Sequence, residues 1–189
     1  MSDSIILYTN PMSRGRIAHW MLEEVGEPYE MRVLRLDKRE HKSPEYLKLN
    51  PHGRIPTLID GGLVLYETAA ICMHLADKHP KAGLAPEIGT AERAQFYKWM
   101  VYLTNTVQAE MLVYFYPERL GGEGACKETV KRNAETRLAA MFDTIEQSLV
   151  ERGPYLLGDR FSAADPMLLM LARWSRGFER PAKTLPALG

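Results

Sequence analysis

The sequence predicts an α/β domain followed by an all-α domain, and three observations carry that expectation. Short apolar runs alternate with helical periodicity up to residue 78. Within that region, Asn50–Ala70 holds two apolar runs joined by Asp60-Gly61-Gly62, the pattern of a β-hairpin. Beyond the proline- and glycine-rich stretch 79–89 the strand signals vanish.

The elements follow in order. Ile5-Ile6-Leu7-Tyr8, stopped by Asn10-Pro11, predicts a buried strand. From Ser13 the period changes: Ile17, Trp20, Met21 and Val25 recur at helical spacing, Arg14, Arg16, Glu23 and Glu24 are left for water, and Gly26 ends the helix. Ser13 therefore stands at or just before a helix N-terminus, directly after a strand. Tyr29–Leu36 predicts a second strand, parallel to the first if the helix is a crossover. Ser43-Pro44-Glu45 marks the start of a short helix. Pro51 and Gly53 turn the chain before Ile55–Ile59, where Pro56, lacking an N–H, belongs at an edge, a strand start or a cis bend. Leu63–Tyr66 completes the hairpin, and a helix is predicted from about Thr68 to Lys78. The free N–H groups at such a helix start favour an anion. The order βαβαββα over residues 1–78 builds a four-stranded mixed sheet of the thioredoxin-like kind.

Residues 79–89 read as a linker and 90–189 as the all-helical domain. Ala91 to about Tyr116 is expected to be one long helix, broken by Gly121-Gly122-Glu123-Gly124. Glu128–Val150 is the next, with Val130, Ala134, Leu138, Phe142, Ile145 and Leu149 on one stripe. Ser162 caps a last helix with Asp165 three residues on, and Pro166 is expected at its fourth position, forfeiting one hydrogen bond.

Lys plus Arg and Asp plus Glu both number 24, so no net field argues for nucleic acid or a membrane surface. No apolar run reaches the ~20 residues that span a bilayer, and the N-terminus lacks a signal-peptide pattern. Cys72 and Cys126 are too far apart for a cysteine-rich zinc site or disulfide framework, and a cytoplasmic protein without a metal is expected. Cys72 sits in an apolar helix as packing, and Cys126 follows a glycine-rich loop as a surface thiol.

Asn50-Pro51-His52-Gly53-Arg54-Ile55-Pro56-Thr57-Leu58, Tyr66-Glu67-Thr68-Ala69-Ala70-Ile71 and Phe161-Ser162-Ala163-Ala164-Asp165 together resemble the cytosolic glutathione transferase family, over essentially the whole chain. Leu7-Tyr8-Thr9-Asn10-Pro11-Met12-Ser13-Arg14 most resembles its bacterial and theta-like, serine-using branches. The resemblance implies glutathione as co-substrate. Ile55, before a cis Pro56, would pair its backbone with the cysteinyl part. Glu67 would reach the γ-glutamyl ammonium, while Thr68 and the helix N-terminus take the carboxylate. His41 and Arg54 match positions that contact the glycyl end. Met12 falls with the substrate-binding residues, and Tyr116 is the candidate wall for an apolar electrophile.

The implied chemistry is thiol activation. A free thiol has a pKa of about 8.5, so only a few per cent is thiolate at pH 7. Lowering that value by about two units takes roughly 2.7 kcal/mol of differential stabilisation. Ser13 is the preferred hydroxyl; Tyr8, which falls where tyrosine-using classes keep theirs, is the alternative. Each candidate also has a plain reading: Ser13 as a helix cap, Glu67-Thr68 as a helix start, Pro56 as an edge breaker, His41 and His52 as surface residues, and Trp99, Tyr102 and Tyr114-Phe115-Tyr116 as core. Pro11-Met12-Ser13-Arg14 occupies the place of the cysteine pair of thioredoxin-like redox enzymes, which disfavours disulfide exchange and the lyase reactions of omega-like relatives.

Conjugation to small apolar electrophiles, with peroxide reduction as a possible second use of the thiolate, is the expected activity. A non-catalytic carrier of glutathione or apolar ligands is the alternative. A homodimer is expected by resemblance. Relatives run on through one or two helices after a segment like Leu185-Pro186-Ala187-Leu188, so a C-terminus truncated or incompletely resolved is also expected.

Overall fold

A computed structural model describes residues 4–121 and 125–189. The chain forms two compact units, Met1–Ala85 and Pro86–Gly189.

The first unit is built on four strands, β1 (Ile5–Thr9), β2 (Tyr29–Val33), β3 (Thr57–Asp60) and β4 (Leu63–Tyr66), in the spatial order β2-β1-β3-β4. β1 and β2 are parallel, which requires a crossover, and α1 (Gly15–Val25) supplies it. β3 runs antiparallel to β1 with Leu58 opposite Leu7, and β4 returns antiparallel to β3 with Leu65 opposite Leu58. The short α2 (Pro44–Leu49) starts with proline in its first turn and Ser43 accepting the Tyr46 N–H. α3 (Thr68–Lys78) has the limits its sequence pattern gave.

Ile5 and Leu7 point to one side of β1, where Ile17, Ala18, Met21 and Leu22 of α1 are buried. Ile71, Cys72, Leu75 and Ala76 of α3 complete this core. Each of the isoleucine, leucine and methionine side chains removed from water here contributes about 1.5–3 kcal/mol. Burial pushes the Cys72 thiol up to about 12, so it stays protonated and serves as packing. Trp20, expected with the apolar face, is only half-buried and donates its indole N–H to Glu24 (2.8 Å). The strand expected over 29–36 ends at Val33 and is largely exposed, because β2 is an edge of the sheet.

The second unit is helical. α4 (Ala91–Val101), capped by the Thr90 hydroxyl, runs through a π-helical turn at Tyr102–Val107 into α5 (Gln108–Phe115). The single helix expected here is therefore interrupted. Thr104 donates its hydroxyl to the Met100 carbonyl (2.7 Å), a contact that competes with the backbone ladder. A short α6 (Glu118–Gly121) follows, and α7 (Ala125–Arg152) starts three residues before the expected position. Gly122, Glu123 and Gly124, expected to break the helix, lie outside the described residues. Ala134, Leu138, Phe142, Ile145 and Leu149 of α7 are buried as their spacing requires, whereas Val130 is half-buried.

α8 (Ala164–Trp174) corrects the position of Pro166: it is the third helical residue, where no intrahelical bond exists to be lost. Asp165 accepts the Ser162 N–H (2.7 Å) and the Leu156 N–H (3.0 Å), so the expected acid does brace the helix start. Burial outweighs those bonds and pushes its carboxyl up. Cys126 is exposed, as expected.

Asp60 fastens the hairpin to the end of α3. Its buried carboxylate accepts from Lys78 Nζ (2.5 Å) and contacts His74 Nε2 (2.8 Å). Burial opposes ionisation, but the Lys78 and His74 contacts outweigh it and hold the carboxyl below the usual aspartate range. A carboxyl held below its unfolded value contributes stability above that value and loses it as pH falls through the folded one. Asp60→Asn should therefore cost about 1–3 kcal/mol at pH 7 in urea unfolding, with the gap to wild type closing in acid. A gap unchanged down to strong acid would remove the ion pair as its cause.

Candidate functional site

The Asn50–Thr68 region forms a cleft. Arg54, Ile55, Pro56, Glu67 and Thr68, all expected from the sequence, line it together with Arg14, Asn50 and His52. The Ile55–Pro56 peptide bond is cis. Ile55, Pro56 and Thr68 are buried, whereas Arg54 and Glu67 are exposed and available to a charged ligand. Gly53, in the left-handed region (φ 54°), lets the chain pass the His41 carbonyl, which an added Cβ would meet at 2.8 Å.

Asn50 and Tyr46 shape the floor. The Tyr46 hydroxyl donates to the Arg54 carbonyl (2.5 Å), and Asn50 Nδ2 donates to the same carbonyl (2.9 Å) and to Thr57 Oγ1 (3.2 Å). Thr57 and Tyr46 hydroxyls meet at 2.8 Å. Tyr46 has one proton and gives it to the carbonyl, so Thr57 must donate to Tyr46, and the four groups close a ring with no donor idle. Burial pushes the Tyr46 phenol up, which keeps that proton in place.

Glu67 carries the local strain. Its backbone lies at φ 74°, ψ 116°, a region that costs a residue with a side chain about 1–3 kcal/mol. It immediately precedes α3, whose start no side chain caps among the described residues. Uncapped N–H groups and the partial positive charge of the helix start thus lie beside the Glu67 carboxylate.

Ser13 lies two residues before α1, whose N-cap Arg14 makes no side-chain capping bond. Its hydroxyl donates to the Asn10 carbonyl (2.8 Å) and accepts the Gly15 N–H (3.0 Å). Asn10 organises this turn: Oδ1 accepts the Met12 N–H (2.8 Å) and Nδ2 donates to the Leu34 carbonyl (2.8 Å). Tyr8 points to the face of β1 opposite Ile5 and Leu7. Its hydroxyl accepts from Arg32 (2.7 Å) and its ring lies 5.6 Å from that of Tyr46.

Ser13, Tyr8, His41 and Met12 are not among the cleft-lining residues, and Met12 is 89% exposed. Burial, with Lys42 and Arg39 nearby, lowers the His41 pKa, so it offers a neutral imidazole at pH 7, and its Nδ1 is buried without a partner among the described residues. Tyr116, expected as core or pocket wall, belongs to the second unit, is exposed and lies under the Arg119 guanidinium at 4.0 Å. Phe115 is likewise exposed, contrary to the core reading.

Sequence reasoning missed Asn10 and Asn50 as organisers. Both open an Asn-Pro dipeptide and both accept the N–H two residues on, the Asx turn that such a dipeptide favours. That repeated dipeptide was the available signal.

Residues 3–77 match the family model described as the glutathione S-transferase N-terminal domain, and residues 127–186 match the C-terminal domain. The chain belongs to the glutathione transferase family. Glutathione S-transferase 3 of Zea mays is 35% identical over 164 residues, 84% of this chain and 72% of the maize protein. A glutathione transferase homologue from Sulfitobacter, solved with bound glutathione, is 29% identical with a TM-score of 0.86 over 99% of this chain and 89% of its own. The theta-class glutathione S-transferase of Xanthomonas axonopodis pv. citri, also solved with glutathione, is 30% identical with a TM-score of 0.81, covering 99% and 89%. The N-terminal match contains the whole cleft of this family member. Among the described residues, no group of three or more His, Cys, Asp or Glu could hold a metal ion, and no helix is long and apolar enough to cross a membrane.

The hydrogen-bond ring makes a stability prediction for this transferase. Asn50→Ala leaves the Thr57 hydroxyl and the His52 N–H each short of a partner, and should cost roughly 2–4 kcal/mol in urea unfolding. An unchanged midpoint would mean that Tyr46 alone holds the bend.

Proposed function

We propose that the cleft binds glutathione and that Ser13 stabilises its thiolate for addition to small apolar electrophiles, in a homodimeric enzyme. The observation that carries the reading is the bonding of Ser13. Its proton rests on the Asn10 carbonyl, which also accepts the Ser13 N–H (3.0 Å), so the hydroxyl can turn to a sulfur without leaving that carbonyl unpaired. The Gly15 N–H meanwhile feeds the serine oxygen from the first turn of α1 and strengthens its donation. Tyr8 is the rival hydroxyl: its oxygen accepts from Arg32 and its ring lies against Tyr46 of the cleft floor, so the test must separate the two.

Glutathione carries two carboxylates and one ammonium, and the polarity of the cleft is complementary. Glu67 takes the ammonium, and Thr68 with the uncapped start of α3 takes the γ-glutamyl carboxylate. The Ile55 backbone pairs with the cysteinyl part, and Arg54 with His41 takes the glycyl carboxylate, His41 as a neutral donor. The glutathione thiol releases its proton to water and its thiolate sulfur bonds the electrophilic carbon. In a substitution the leaving group departs with its electron pair; in an addition the resulting anion takes a proton from water. Ser13 keeps its own proton throughout.

The test is the apparent pKa of the bound glutathione thiol, followed by the ultraviolet absorbance of the thiolate. Ser13→Ala should raise it by about one unit and reduce turnover with the glutathione Kd little changed, while Tyr8→Phe leaves both near wild type. The reverse pattern would make Tyr8 the activating hydroxyl, and an unshifted thiol in wild type would make the protein a carrier. Glu67→Gln, which keeps the side chain and removes its charge, should weaken glutathione roughly thirtyfold, about 2 kcal/mol. An unchanged Kd would overturn the assigned polarity.

A further inference from the structure

Thr9 closes β1 with 2% of its surface exposed, and its hydroxyl is buried with no hydrogen-bond partner among the described residues. Its carbonyl is engaged separately by the Leu34 N–H (2.9 Å). An orphaned buried hydroxyl is costly, and a valine of the same shape would avoid that cost. The hydroxyl lies beneath the turn that carries Ser13. A Cβ built on Gly15 would stand 2.2 Å from Thr9 Oγ1 and 3.1 Å from Ser13 Oγ, so glycine alone lets the first turn of α1 settle onto this pair of hydroxyls.

The valences of Ser13 indicate what Thr9 can supply. In the resting chain the serine oxygen donates to Asn10 and accepts from Gly15, which leaves one lone pair. When the proton turns from the Asn10 carbonyl to a sulfur, rotation about the Cβ–Oγ bond redirects that lone pair. It becomes the place for a second donor while the Gly15 N–H stays on the oxygen. A hydroxyl donating there holds the oxygen and polarises its own O–H towards the thiolate.

We propose that Thr9 is a positioning residue for Ser13, its hydroxyl donating to Ser13 Oγ when the serine proton is given to the glutathione sulfur. The inference rests on the reading of Ser13 as the thiol-activating group. Thr9 does not touch glutathione; it acts through the serine.

The experiment measures the bound-thiol pKa, the glutathione Kd and the melting temperature for wild type, Thr9→Val, Thr9→Ser, Ser13→Ala and the Thr9→Val/Ser13→Ala pair. Thr9→Val should raise the thiol pKa by about half a unit, roughly a threefold loss of thiolate at a fixed pH below it, with Kd unchanged and melting temperature equal or higher. Thr9→Ser should restore the wild-type value, and in the Ser13→Ala background Thr9→Val should add nothing. A wild-type pKa in Thr9→Val, with Ser13→Ala raised, overturns this inference and leaves the Ser13 reading standing. A wild-type pKa in Ser13→Ala overturns both. Equal impairment in Thr9→Val and Thr9→Ser, or an additive effect in the pair, assigns Thr9 to packing. Should Thr9→Val not fold, Thr9→Ala reads the same pKa with the hydroxyl removed and less bulk.

Discussion

The first unit depends on the closed ring of hydrogen bonds through Asn50, Thr57, Tyr46 and the Arg54 carbonyl. It ties the end of α2 to the cleft floor and to the first residue of β3. Thr57 stands opposite Tyr8 on β1 and Tyr66 on β4. The ring therefore fixes the strand ends from which the chain departs towards Ser13 on one side and Glu67 on the other. A buried polar network of this kind holds as a unit, because any one member left unpaired forfeits the full hydration of its partner.

The fold was legible where apolar periodicity and turn chemistry report on it. The Asp60-Gly61-Gly62 hairpin, the limits of α3 and the burial of Cys72 follow from residue type and spacing. The cis bond before Pro56 was one of three places open to a strand proline, and only the family resemblance singled it out. The π-helical turn at Tyr102–Val107 does not, because inserting one residue into a helix leaves its apolar positions nearly continuous. Asn10 and Asn50 were signalled only by their shared Asn-Pro dipeptide, which marks a turn without saying what the amide holds. A buried amide has no period, and its importance lies in which backbone groups its two ends happen to meet. The exposure of Phe115 and Tyr116 belongs here as well, since they close α5, where aromatic character says little about which face remains covered.

Some costly features of the first unit lie at the cleft and the Ser13 turn, while others, the positive-φ Arg39 and a His79 Nε2 without a partner among the described residues, do not line the cleft. Glu67 holds a left-handed backbone, Thr9 and the His41 Nδ1 lack partners among the described residues, and α3 begins without a side-chain cap. By contrast Asp60, buried at the far end of the hairpin, has both oxygens engaged. At Glu67 and the start of α3 the departures from local preference lie where a ligand would complete them, as a preorganised binding site requires.

Magnitudes limit what one serine does. Turning its proton from the Asn10 carbonyl to a thiolate exchanges a neutral hydrogen bond, about 0.5–1.5 kcal/mol net, for a charge-assisted one of about 1.5–3. The difference is roughly 1–1.5 kcal/mol, or about one pKa unit. A shift of about two units therefore needs further stabilisation of the anion from other sources. With Ser13 as the proposed contact, the start of α1 would supply part, since a helix N-terminus favours a nearby anion by about 0.3–1 kcal/mol. The remainder must come from groups that make Ser13 a better donor than an isolated hydroxyl, and the Gly15 N–H, already bonded to its oxygen, is one. On the proposed reading, thiol activation would accordingly be a property of the Asn10–Gly15 turn as a whole, with Ser13 as its point of contact.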